Sequence, residues 1–209
     1  MYGLPTSIEV KKQLPKKAIY GKFNMSASQR ESFDADIARL DIVGMVSTKT
    51  VPALAEGEEV KEIYIVAVQL KRKEYDTKNI LLLTKLIPQK MVFALHYEEA
   101  VQFAIHHTKL ITSEWQLITH NSSLITLQGL NLDAVWDNIV KDIGGIEVSE
   151  GNTLSEQIKA NEEQAKLLAQ IKSLERKMAN EKQPRRKREY FEQIKKLKNI
   201  CHSERNEVQ

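Results

Sequence analysis

Glu62-Ile63-Tyr64-Ile65-Val66-Ala67-Val68-Gln69-Leu70 is almost wholly apolar and rich in β-branched residues. A run without polar alternation predicts a central strand covered on both faces. Asp76-Thr77 then reads as the cap of a short buried helix, Ile80-Leu81-Leu82-Leu83-Thr84-Lys85-Leu86-Ile87, stopped by Pro88. Met91-Val92-Phe93-Ala94-Leu95 is a second apolar strand. Strand, helix and strand over residues 63–95 fit a right-handed parallel crossover, which sets the class as α/β.

Downstream, residues 100–106 alternate at Val101, Phe103 and Ile105, and Leu110-Ile111 follows. Trp115-Gln116-Leu117-Ile118-Thr119 and Leu124-Ile125-Thr126-Leu127 come next, separated by short polar turns. These predict an antiparallel meander beside the crossover. Asn131 or Asp133 opens a helix carrying Leu132, Val135, Trp136, Ile139 and Val140, which ends at Gly144-Gly145. Upstream, the first 35 residues read as two helical pieces. One carries Ile8, Val10, Leu14, Ile19 and Tyr20 and is broken at Pro15. The other starts at a capping box of Ser28 with Glu31 and continues through Phe33, Ile37 and Leu40. Ile42-Val43-Gly44-Met45-Val46 and residues 48–51 read as β-rich, and residues 52–59 as a polar connection. The expected body is a mixed-sheet α/β domain over residues 1–150.

Residues 151–209 predict a basic helical hairpin, a coiled-coil-like extension. Ala160, Leu167, Ile171, Leu174 and Met178 trace one narrow seam, and Tyr190, Ile194, Leu197 and Cys201 a second. Pro184 disfavours helix at Gln183 and marks the turn between them. Residues 153–209 hold 14 Lys or Arg against nine Asp or Glu, while the remainder holds 17 against 19. The isoelectric point of 8.8 therefore belongs to the tail. Such a split implies an acidic partner for that segment, nucleic acid or an acidic protein face.

Composition narrows the chemistry. A chain of 209 residues, 42% hydrophobic and 28% charged, is long enough for one domain with an extension. Its mean hydropathy of -0.41 is too polar for an integral membrane protein. The lone Cys201 excludes a disulfide framework and any zinc site with two sulfur ligands. Met1 to Val10 has no apolar run of signal-peptide length, so a cytoplasmic location is expected. His106-His107 point to opposite faces of a strand, and His96, His120 and His202 have no paired spacing, so no metal site is expected from histidine or cysteine. Gly144-Gly145 ends a helix instead of opening one, which is no phosphate loop. Ser122 and Ser123 read as turn residues.

Several segments together resemble one family. Leu14-Pro15-Lys16-Lys17, Glu58-Glu59-Val60-Lys61-Glu62-Ile63, Leu70-Lys71-Arg72-Lys73, residues 79–93, and Glu181-Lys182-Gln183 ahead of Leu197-Lys198 are similar to the bacterial and archaeal domain-of-unknown-function family 4391. The resemblance covers most of the chain. It departs at Pro184-Arg185, where such relatives tend to carry an aromatic and a polar residue. Family members are often encoded among helicase and methyltransferase genes of restriction-type defence loci. The resemblance therefore implies a role near DNA processing and no catalytic residue.

Two sets of residues are candidates for a site. Gln69, a spacer and Lys71 end a hydrophobic strand, where nucleases of the restriction-endonuclease-like fold place a metal-binding acid or amide and a lysine. Asp41 is the best preceding carboxylate, with Glu62 and Glu31 behind it, and Mg²⁺ is the cofactor under this alternative alone. The second set is Lys182, Arg185, Arg186, Lys187, Arg188 and Tyr190 at the hairpin turn, suited to phosphates or to a protein partner. The leading expectation is a non-enzymatic accessory or adaptor subunit of a restriction-type defence assembly. It docks through the hairpin onto a helicase- or methyltransferase-type complex, uses no cofactor and contacts no membrane. The alternatives are the metal-dependent nuclease and a non-specific nucleic-acid-binding module.

Overall fold

A computed structural model describes residues 2–118, 125–149 and 151–206, with 201–206 as backbone only. The chain forms two compact units, Met1–Ile146 and Glu147–Gln209.

The first unit runs β1 (Glu9–Gln13), α1 (Lys16–Lys22), α2 (Ala27–Asp36), β2 (Ile37–Val46), β3 (Ile63–Leu70), α3 (Thr77–Leu83), β4 (Lys90–Tyr97), β5 (Ala100–His106), β6 (Leu110–Thr112), β7 (Gln116–Leu117) and α4 (Leu132–Gly144). The strands make one mixed sheet in the order β1-β2-β3-β4-β5-β6. β6 and β7 share the outer edge of β5, one at each end of it. β3 and β4 pair in parallel through α3, and the other described pairs are antiparallel. The α/β class and the mixed sheet with its parallel crossover are as the sequence predicts, and the antiparallel strands after it are so in part, since β7 returns to β5 and does not continue the meander from β6.

The sheet separates two cores. On one face Ile19, Phe33, Ile80 and Leu83 from α1, α2 and α3 meet Val66, Val68, Phe93 and Leu95 of the central strands. On the other, α4 buries Val135, Trp136, Ile139 and Val140 and brings Gly144 against Ile111 of β6. Burying a large aliphatic or aromatic side chain contributes roughly 1.5–3 kcal/mol, so these two layers dominate the stability of the unit. Gly145 closes α4 in the left-handed region, at φ 57°, where glycine carries no Cβ penalty.

Several local expectations change. Residues 9–13 are not helical but form an edge strand on β2, with a bulge between Glu9 and Lys12. The capping box of α2 is Ser26 with Gln29, not Ser28 with Glu31: Ser26 Oγ accepts from Gln29 N, and Gln29 Oε1 accepts from Ser26 N. Ile37 and Leu40 belong to β2 and not to that helix. Residues 48–51 are not a strand: 48–50 form a turn, and Ser47 N donates to Thr50 Oγ1 at 2.9 Å. α3 stops at Leu83, short of Ile87. Residues 125–127 are not a strand; Ile125 N donates to Tyr2 O at 3.1 Å. Thr119, His120, Ser122, Ser123 and Leu124, with the side chains of Cys201 and His202, lie outside the described residues.

The second unit is a pair of helices, α5 (Leu154–Asn180) and α6 (Pro184–Asn206). Thr153 and Glu156 form the capping box of α5. Pro184 takes the first position of α6, where its missing N–H costs nothing. No helix among the described residues is long and apolar enough to cross a membrane.

Candidate functional site

In open α/β sheets ligands gather outside the carboxyl ends of parallel strands. Here that edge is the end of β3 and β4, and its organising residue is Asp36. Asp36 ends α2 and is fully buried. A buried carboxylate must be paired and hydrogen-bonded. It accepts from Arg72 Nε at 2.6 Å, Asp76 N at 2.8 Å and Asn79 Nδ2 at 2.7 Å. Its own carbonyl accepts from Lys71 N at 2.8 Å. One residue thereby ties the junction of α2 and β2 to the segment after β3 and to the first turn of α3.

Around this knot lie the residues the sequence singles out. β2 and β3 pair Asp41 with Ala67 and Arg39 with Gln69, so Asp41 and Gln69 share one face of neighbouring strands. The Asp41 carboxylate is gripped from both sides by Arg39, Nε to Oδ2 at 2.7 Å and a terminal nitrogen to Oδ1 at 2.9 Å. Gln69 is exposed, and its amide reaches only the His96 carbonyl at 3.4 Å. Lys71 lies just past the end of β3, exposed, in the bend over residues 71–74. Its charge acts on Asp34. Hydrogen bonds from Lys16 and Tyr20, both at 2.6 Å, hold that carboxyl below its usual range against burial, and the charges of Lys16 and Lys71 add to the effect. Glu62 accepts from Tyr64 Oη at 2.6 Å, and Glu31 is exposed on α2. For a hard cation, the shared face offers the Asp41 carboxylate, already occupied by Arg39, and the Gln69 amide oxygen. Among the described residues no three His, Cys, Asp or Glu side chains gather as a metal-ligand group.

Elsewhere in the first unit polar groups serve the fold. Asp133 accepts from the N–H groups of Glu58 at 2.6 Å, Glu59 at 3.2 Å and Val60 at 2.7 Å, which pins the long connection before β3. Burial works to raise its carboxyl, and the three donors together overcome it and hold it low. His96 meets the phenol of buried Tyr2, and burial lowers its imidazole.

The second unit holds the other candidate set. Glu181 breaks the helix by accepting from the N–H groups of Lys182 at 2.9 Å and Gln183 at 3.0 Å. The hydrogen bond from Gln183 leads the effects that keep its carboxyl ionised at lower pH than usual. With three residues between them, α5 and α6 double back as an antiparallel hairpin. Ile171 and Ile194 are buried, and Lys198 reaches Glu175 at 2.9 Å. Lys182, Arg185, Arg186, Lys187 and Arg188 are all exposed at the turn. Arg185 approaches Glu189 at 3.6 Å.

Tyr190 stands apart from that run. It is half-buried and lines a cleft of about 650 Å³ with Lys172, Arg176, Lys177 and Asn180 of α5. A second groove, of about 560 Å³, has Leu174, Leu197 and Ile200 along it, with Gln170, Gln193 and Lys196 at its rim.

Sequence reasoning missed Asp36 and its partners, because Arg72 and Asn79 lie 36 and 43 residues away. It also missed the α5 side of the Tyr190 cleft. The available signal was the i, i+4 spacing of Lys172 and Arg176.

Neither the search of curated proteins nor that of solved structures gave a match. The family described as "Domain of unknown function (DUF4391)" matches residues 2–200, which span both units, and the chain belongs to that family.

Proposed function

We propose that the protein is a non-enzymatic accessory subunit of a bacterial, cytoplasmic DNA-defence assembly, docking a helicase- or methyltransferase-type partner through its C-terminal hairpin. The observation that carries this reading is the groove along Leu174, Leu197 and Ile200. Ile171 and Ile194 are buried in the helix pair, whereas Leu174, Leu197 and Ile200 stay partly in water. An amphipathic helix laid into the groove would cover them, as in helix-in-groove recognition. Lys177 and Lys196 at the rim favour an acidic flank on that helix. The restriction-type gene context that the family resemblance implies names the partner class.

The test is co-purification with the helicase and methyltransferase subunits of the same locus. Leu174→Glu with Leu197→Glu should reduce capture more than about tenfold, the equivalent of ~1.4 kcal/mol, while helicity by circular dichroism is unchanged. Removal of residues 154–209 should abolish it. Capture unaffected by either change overturns the reading.

A second reading, a metal-dependent nuclease centred on Gln69, Lys71 and Asp41, is favoured by the placement of Asp41 and Gln69 on one face beside the carboxyl end of β3. Plasmid cleavage with Mg²⁺ or Mn²⁺ that Lys71→Ala abolishes would establish it, and an intact plasmid would refute it.

A further inference from the structure

We infer that the cleft beside the hairpin turn is a binding site for single-stranded nucleic acid, with Lys172, Arg176 and Lys177 on the phosphates and Tyr190 stacked on a base. The argument begins with charge. Lys172, Arg176 and Lys177 are exposed along the last turns of α5 and line the cleft together. Glu181 lines the cleft too and keeps its charge while accepting from the backbone N–H groups of Lys182 and Gln183, so three cations face one carboxylate there, and Glu175 is paired with Lys198. The cleft therefore keeps a net positive field. The exposed run of Lys182 and residues 185–188 follows it directly in the chain and extends that field.

Geometry narrows the ligand. Lys172 and Arg176 stand four residues apart, about one 5.4 Å helical turn, so their charges form a row along the cleft. A row of cations suits a chain with regularly repeated anions, and the Arg176 guanidinium suits a phosphate held at two oxygens. Tyr190 sits in the same cleft, half-buried, with Asn180 beside it. An aromatic ring flanked by cations matches a base flanked by phosphates. Stacking needs a free base face, which duplexes hide, so the ligand is a single strand. The docking groove along Leu197 shares Ser173 and Lys177 with this cleft, whereas Lys172, Arg176 and Tyr190 line the cleft and not that groove, so their variants test this inference apart from the docking reading.

The test uses the full chain and a short fluorescein-labelled oligothymidylate, read by anisotropy across a salt series. Three phosphate contacts predict a slope of log affinity on log salt of roughly −2, which is about a 20-fold loss between 50 and 200 mM. Lys172→Ala, Arg176→Ala and Lys177→Ala together should flatten that slope by about two. Tyr190→Leu should weaken binding about tenfold with the slope unchanged, and Tyr190→Phe should restore it. A control removing the same charge elsewhere on the hairpin, Lys159→Ala, Lys166→Ala and Lys195→Ala, should keep most of the affinity. Circular dichroism confirms the helices in each variant. The inference is overturned if the oligonucleotide does not bind, or if the control triple loses as much as the cleft triple. It is equally overturned if the corresponding duplex binds as tightly, or if polyglutamate competes as well as unlabelled oligothymidylate.

Discussion

Asp36 and Asp41 are five positions apart and differ in what surrounds them. Asp36 is sealed from water and satisfies three donors from two other segments. Asp36→Ala would leave the Asp76 N–H and the Arg72 guanidinium without this acceptor and the Asn79 amide with the Ser32 carbonyl at 3.4 Å, and is expected to destabilise by about 3 kcal/mol. Asp41 meets an Arg39 side chain that is 61% exposed. Asp41→Ala is expected to change stability by less than about 1 kcal/mol, as exposed ion pairs do. Urea midpoints of the two variants measure the contrast. His96 adds a dependence on pH. Its folded imidazole titrates below the unfolded value of about 6.5. Its contribution is therefore complete above that pH and is lost as the pH falls through the folded value. His96→Gln should reduce the loss of stability on acidification without abolishing it, because burial also leads the lowering of His107.

At the scale of the element, the capping box separates two serines. Ser26→Ala removes the acceptor for Gln29 N and should destabilise α2 by about 1 kcal/mol. Ser28→Ala, inside the helix, should be close to neutral, and thermal unfolding of both variants checks this. The sequence pattern pointed to the wrong serine for a local reason. Both positions are followed three residues later by Glu or Gln, and only the approach of the chain from Asn24, at φ 47°, selects between them. The boundary between α2 and β2 misled in another way. A bulge between Ile37 and Arg39 turns both Ile37 and Leu40 inward, which imitates helical spacing within a strand. By contrast β3, α3 and β4 were legible, because their apolar runs and the Asp76 cap are local signals. The β3 edge was legible only in part. Strand alternation puts Gln69 and Lys71 on one face, but β3 ends at Leu70 and Lys71 lies in the bend beyond it; Asp41 stands out as the carboxylate of the preceding strand, whereas Asp36 depends on partners that only the folded chain brings near.

At the scale of the whole molecule, the two units divide the work by charge and burial. The first carries two apolar layers around a sheet and the buried carboxylate of Asp36. The second carries the basic surplus on helices that hide few of their side chains. Sequence composition exposed that division directly, since charge counts need no knowledge of contacts. Which face of the hairpin holds the surplus required Tyr190 to be placed against α5. The sheet itself ends at β1, a short, bulged strand whose Lys11 and Lys12 lie in water. An open strand margin is a template on which a second chain can extend the ladder, and charged, bent margins discourage this. Lys11→Val with Lys12→Thr should convert that guarded margin into an adhesive one. Static light scattering would then show self-association that the natural chain resists at the same concentration.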